Sequence, residues 1–79
     1  MIALKDILAD IAKAIVDNPD KVYVTEETDA QGNVLLTLTV APEDMGMVIG
    51  RHGKIAKAIR TVMKAASNTL NVKVTVEIK

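Results

Sequence analysis

Apolar residues recur along this chain with two different periods. Between residues 3 and 17, Leu4, Ile7, Leu8, Ile11 and Ile15 fall at helical spacing, with Asp6, Asp10, Lys13 and Asp17 off that stripe. "DNPD" at 17–20 closes this helix, because Pro19 cannot continue it and disfavours a helical Asn18. The period then falls to two. Residues 21–28, "KVYVTEET", and 34–41, "VLLTLTVA", read as strands around "DAQGN", whose Asp29, Gly32 and Asn33 suit a hairpin loop. In the second run Val34, Leu36, Leu38 and Val40 share one face, which is expected to meet the core. Pro42, Glu43 and Asp44 open a second helix: proline is tolerated in a first turn, and the acids complement the helix dipole. Gly50 ends it about two turns later. A longer helix follows Gly53 and runs to Ser67, with Asn68 as its left-handed cap. The last run, "VKVTVEIK" at 72–79, aligns Val72, Val74, Val76 and Ile78 as a half-buried strand.

The expected order is therefore α-β-β-α-α-β. A three-stranded mixed sheet with every helix on one face would make a two-layer α+β sandwich. At 79 residues without linker, repeat or low-complexity tract, the chain reads as one domain, residues 1–79, with room for a binding surface and not for a deep catalytic cleft. The first helix carries further apolar residues, Ile2, Ala3, Ala14 and Val16, and so wide a stripe suits a dimer contact. Of the methionines, Met63 is expected in the core and Met47 partly exposed.

Composition narrows the chemistry. No cysteine is present, so disulfides and thiolate metal sites are excluded, and the single His52 cannot build a multi-histidine site. The acids are scattered over a helix, a hairpin and a turn without ligand spacing, so neither a metal nor another cofactor is expected. The N-terminal stretch mixes charges into its apolar residues from Lys5 onward, unlike a signal peptide or a membrane span, and a cytoplasmic protein without membrane contact is expected. Net charge is zero, but the zero is a cancellation. Residues 1–44 hold three lysines against nine acids, and residues 45–79 hold seven basic residues against Glu77 alone. Arg51, Lys54, Lys57, Arg60 and Lys64 lie within fourteen residues that contain no acid. Such a local field attracts polyanions even on a neutral protein.

Two of the four glycines, Gly50 and Gly53, stand three apart inside that stretch, "VIGRHGKIAKAIR". The spacing is not that of a Walker loop, which needs four residues between its glycines and Ser or Thr after the lysine, where Ile55 stands here. It is not a dinucleotide fingerprint either, since Val48 occupies the first glycine position and a helix, not a strand, precedes it. A helix-turn-helix DNA reader is a closer rival. Its recognition helix needs side chains that discriminate base edges, whereas this helix opens with Lys54, Ile55, Ala56, Lys57 and Ala58, cations that hold phosphates and carry little sequence code. On the helical wheel Ile55, Ile59, Val62 and Ala66 form the expected packing arc, with Lys57, Arg60 and Lys64 nearly opposite. Free N–H groups at the helix start, Arg51 and Lys54 can then face one anion, and the glycines let a sugar-phosphate chain come close. His52 lies in an exposed turn without a pocket or orienting partner, so a phosphate contact or plain solvation suits it better than catalysis. Tyr23 is the sole aromatic residue, which argues against a base-stacking platform.

"GMVIGRHGKIAKAIR" resembles the signature of KH domains, in which an Ile-Gly-x-x-Gly loop joins two helices and grips about four nucleotides. Gly46, Val48, Ile49, Gly50 and Gly53 match it, and the element order is similar to the type II, prokaryotic arrangement. The resemblance covers essentially the whole chain and is closest to the small KhpA-like bacterial RNA-binding proteins. It implies that Gly50 and Gly53 bound a phosphate-gripping loop with Arg51 and His52 as its exposed middle. It further implies that Ile49 lines an aliphatic groove under the bases, that Gly46 keeps the preceding helix low for the passing strand, and that Lys54, Lys57 and Arg60 lie along the RNA. One departure stands at Ala56, where the family pattern has a large aliphatic residue. By the same resemblance the protein is no enzyme but an RNA chaperone or post-transcriptional regulator of single-stranded, structured or ribosomal RNA, acting in cell shape and division. It would pair with itself or with a larger KH-containing protein of the Jag (KhpB-like) type. An interaction module that keeps the fold without RNA is the alternative, and a DNA reader ranks third.

Overall fold

The computed structural model describes residues 3–79, so Ile2 lies outside the described residues. Helix α1, Leu4–Ile15, buries Leu4, Leu8 and Ala12 and holds Ile7, Ile11 and Ile15 half-buried against the same core. It stops two residues short of Asp17; Pro19 then starts a 3-10 turn, Pro19–Lys21, where its fixed φ is favourable. Ala3 and Ala14 are exposed while Val16 is buried, so the extra apolar residues of this helix do not form one continuous outer stripe.

Strands β1, Tyr23–Thr28, and β2, Val34–Thr39, pair antiparallel from Tyr23 opposite Thr39 to Thr28 opposite Val34. Their loop is organised by Asp29, whose Oδ1 accepts the backbone N–H groups of Gln31 and Asn33, both at 2.9 Å, while Oδ2 accepts Asn33 Nδ2 at 3.0 Å. Those bonds favour the carboxylate and hold the Asp29 pKa below its ordinary 3.8, the Asn33 backbone N–H contributing most. A 3-10 turn, Pro42–Asp44, leads into the short helix α2, Met45–Ile49; a second such turn, Arg51–Gly53, leads into α3, Lys54–Thr69. Strand β3, Val74–Ile78, lies parallel to β2, from Val34 beside Val74 to Leu38 beside Ile78. The sheet order β1-β2-β3 leaves β2 central, with the helices on one face: the expected α+β arrangement, α-β-β-α-α-β, with a mixed sheet.

The core follows the alternation of β2. Leu36, Leu38 and Val40 are buried with Val22, Val76 and, from the helical layer, Leu8, Val48, Ile59 and Met63. Three details depart from expectation. Asn68 lies inside α3, and the left-handed residue after the helix is Asn71 at φ 57°. The packing face of α3 is Ala56, Ile59, Met63 and Ser67, about 75° around the helix from the expected arc, so Ile55 and Val62 face outward. Asp44, expected to complement the dipole of α2, makes no capping bond there and is buried at 1% exposure. Its Oδ2 accepts the backbone N–H and Nδ2 of Asn18, both at 3.0 Å.

Candidate nucleic-acid interface

The turn between α2 and α3 is set by three residues with positive φ: Gly50 (φ 74°, ψ 174°), His52 (φ 58°, ψ 25°) and Gly53 (φ 73°, ψ 15°). Gly50 is required twice over. Its backbone conformation is nearly exclusive to glycine, and a Cβ there would stand 2.3 Å from Ile55 Cγ1 and 3.0 Å from the Ile55 backbone nitrogen. Gly53 is left-handed but faces open space, with nothing within 4 Å of an added Cβ. Gly46 also faces open space and has no positive φ, so no atom of the described chain excludes a side chain there.

Backbone bonds Gly50 N–H to Gly46 O, 2.9 Å, and Gly53 N–H to Gly50 O, 3.2 Å, fold the turn tightly. Arg51 and His52 project from it and are exposed, as are Lys54, Lys57, Arg60 and Lys64 along α3. Neither an acidic residue in its first turn nor a side-chain cap competes for the N-terminus of α3. Among the described residues the sole ion pair joins Lys79 to Glu77 at 3.7 Å, so these six side chains engage no carboxylate. The result is an unneutralised positive field running from the turn along one side of a helix.

That side overlooks an open groove of about 540 Å³ between α3 and β3, flanked by Arg60, Lys64, Ser67 and Val74. β3 is an edge strand. Val34 N–H bonds to Lys73 O and Lys79 N–H to Leu38 O, so alternation turns the backbone groups of Val74, Val76 and Ile78 away from β2, toward this edge. Arg60 Nε donates to one of them, Val76 O, at 3.3 Å, linking the helix to the strand across the groove.

The positions singled out by sequence thus divide. Gly50, Arg51, His52, Gly53 and Lys54 form the turn; Gly46 stands one helical turn before it; Lys57 and Arg60 continue the basic side. Ile49 is half-exposed beside Gly50 and does not line the α3–β3 groove. Ala56 is buried, and Ile55, the residue before it, covers Gly50. The groove residue Ser67 was not legible as such: it falls on the buried face of α3, where its hydroxyl bonds back to Lys64 O at 2.8 Å, a local satisfaction that lets a polar residue face the core.

Comparison with known proteins is consistent with this geometry. Two solved structures of Era share the fold over 95% of this chain at 15% identity, matching only 28–29% of the Era chains. One is Aquifex aeolicus Era bound to GDP and aluminium fluoride, TM-score 0.64; the other is Era with MgGDPNP and nucleotides 1506–1542 of 16S ribosomal RNA, TM-score 0.65. Among curated sequences, "RNA-binding protein KhpA" of Clostridium acetobutylicum is 57% identical over 75 residues, covering 95% of this chain and 99% of that one. The Clostridium perfringens protein of that name is 52% identical with the same coverage, and the Aquifex aeolicus one is 45% identical over 99% of this chain and 98% of its own. The model of the KhpA/KhpB KH domain matches residues 5–78, from the first turn of α1 to the end of β3. With that span, those identities and a glycine turn between two helices in type II order, this chain belongs to the KhpA/KhpB KH-domain family.

Proposed function

We propose that this protein is a non-enzymatic RNA-binding module that holds short single-stranded RNA by its backbone. The observation that carries the reading is the combination at the turn: an obligate glycine at Gly50, open space above Gly46 and Gly53, and six exposed basic side chains without an acidic partner. Phosphates lie at the 50–53 turn, held by Arg51, His52, Lys54 and the N-terminal N–H groups of α3. Lys57 and Arg60 continue the contact, and bases lie toward the groove and the outward backbone groups of β3. The few contacts available on so small a surface suit modest affinity and limited sequence selectivity. Structured or ribosomal RNA and a cytoplasmic post-transcriptional role, RNA chaperoning included, follow from this reading.

Titration of labelled single-stranded RNA by fluorescence anisotropy at two salt concentrations, with the Arg51→Asp/His52→Asp variant alongside, tests it. Binding should weaken with salt at a log–log slope of about −0.7 per phosphate contacted and be lost in the folded variant. Equal binding by both proteins, or by neither, would refute the clamp.

Pairing with a second KH chain, its own copy or a KhpB-like one, rests on a separate observation. On α3, Ile55, Ala58, Val62, Ala65 and Thr69 recur at alternating spacings of three and four and are all exposed, Val62 at 50%. Such a seam suits helix-to-helix packing, with alanines permitting close approach. It lies nearly opposite Lys57, Arg60 and Lys64, so a pair built on it leaves both basic sides free. The contact expected on α1 moves to α3 in this reading. Sedimentation should show a dimer that Val62→Asp dissociates; a wild-type monomer at all concentrations would refute it.

A further inference from the structure

The helix that carries Gly50 is too short to place itself. α2 has five residues and one buried side chain, Val48, and its C-terminal end is located by the close approach of Gly50 to Ile55. Its N-terminal end is located by Asp44. This carboxylate is excluded from water, and no cation neutralises it among the described residues. It does not cap α2, as an aspartate at a helix start ordinarily does. Its Oδ2 instead receives two bonds from one residue 26 positions earlier, the backbone N–H and the Nδ2 of Asn18, each 3.0 Å. Asn18 is held in turn as the residue that opens the Pro19 turn, its carbonyl accepting the Lys21 N–H at 3.0 Å. A second contact, Asn18 Nδ2 to Glu43 Oε1 at 3.4 Å, reaches the same segment.

We infer that the Asn18–Asp44 clasp is a positioning device for the RNA-gripping turn: it fixes α2 to the end of α1 so that the 50–53 turn is held in its binding shape before RNA arrives. The inference rests on the proposed RNA clamp. The physical reason is that a buried carboxylate strongly prefers the one arrangement that supplies its donors, so the clasp allows α2 little freedom to slide or tilt. Without it, the N-terminal half of the helix is held by the half-buried contact of Met45 with the core and by the buried Val40 and Ala41 that lead into it, which leave it more freedom to tilt. The turn then visits shapes that do not grip, and apparent affinity falls in proportion to the fraction of time spent in them.

Asn18→Ala is the first variant, because it removes the Nδ2 bonds, keeps the backbone bond and leaves the fold intact. Asp44→Ala follows and removes the acceptor of both bonds. In the double variant Asn18→Ala/Asp44→Ala nothing further of the buried clasp is lost beyond what the Asp44 change has already removed. Two readouts are taken on the folded proteins well below Tm. RNA anisotropy should show Kd raised about 3- to 10-fold in the single variants with an unchanged salt slope, and no further rise when Asn18→Ala is added to Asp44→Ala. Amide NMR of the free proteins should show Gly50 and Gly53 resonances shifted or broadened in the single variants, and alike in Asp44→Ala and the double variant. Undisturbed turn resonances in both single variants, or additive effects in the double variant, would overturn the positioning role. If wild-type protein binds no RNA, the clamp itself fails, and the NMR arm still decides whether the clasp governs the turn.

Discussion

Replacing Gly50 by alanine combines two costs that can be separated. The backbone at φ 74°, ψ 174° is nearly closed to residues with a Cβ, at a cost of about 1–3 kcal/mol. The new methyl also meets Ile55, at 2.3 Å from Cγ1 and 2.9 Å from Cβ. Cγ1 can move with a change of side-chain rotamer, whereas Cβ and the Ile55 nitrogen at 3.0 Å move only with the start of α3; overpacking of this kind costs about 1–3 kcal/mol. Together they remove about 2–6 kcal/mol from a chain of 79 residues whose whole stability is on the order of 4–12 kcal/mol. Tm should fall by roughly 10–45 °C, followed by circular dichroism. Shortening the obstacle tests the division: Ile55→Ala in the Gly50→Ala background should recover about 1–2 kcal/mol relative to the sum of the single changes, and the backbone cost should persist. Gly53→Ala, left-handed but unobstructed, should cost about 1–2 kcal/mol and show no such coupling. A Gly50→Ala protein melting within about 5 °C of wild type would refute the reasoning, as would additivity with Ile55→Ala, because the contact would then not be what demands glycine.

Gly46→Ala should stabilise the free protein by up to about 0.5–1 kcal/mol, since it sits in a helix with open space above it, yet weaken RNA binding by occupying that space. Thermal melts and anisotropy on one sample check both, and unchanged affinity would mean that RNA does not pass over α2. Asp29→Ala should destabilise the β1–β2 hairpin at neutral pH by removing the carboxylate bonds to Asn33 and Gln31. Because the folded-state pKa lies below the ordinary 3.8, the stability due to ionised Asp29 is fully present above that value and lost as pH falls through the lower folded value. Wild type and variant should therefore converge in denaturant titrations carried into that acid range; a gap independent of pH would refute the assignment. Reversing Lys57 to glutamate should lower the salt slope of RNA binding by about 0.7 or more if that side chain contacts a phosphate, and leave it unaltered if it does not.

What local sequence determined here is what depends on local period. Alternation in "VLLTLTV" placed Leu36, Leu38 and Val40 in the core because successive strand side chains must point to opposite faces. The stripe of α1, the breaker at Pro19 and the glycine spacing likewise act within a few residues, so element order, type II arrangement and the position of the turn were all legible. Ends were less so: Asn68 and Asn71 have equal aptitude for a left-handed cap, and where α3 leaves the sheet chose between them.

Tertiary structure alone decided matters in which several local solutions were equivalent. Helix α3 is apolar or small around much of its circumference, so either the Ile55–Val62 arc or the Ala56–Met63 arc could have faced inward. Close packing chose the second, which buries Met63 beside Ile59 in the core, and so left Ile55 to cover Gly50 and Val62 exposed. Asp44 reads locally as an ordinary acidic helix start. Its donor is Asn18, brought beside it only by the packing of α1 against the rest, and no period along a chain can reveal a hydrogen bond between residues 26 apart. A motif is written in neighbours, but the partner of a buried polar group is set by which surfaces the core draws together.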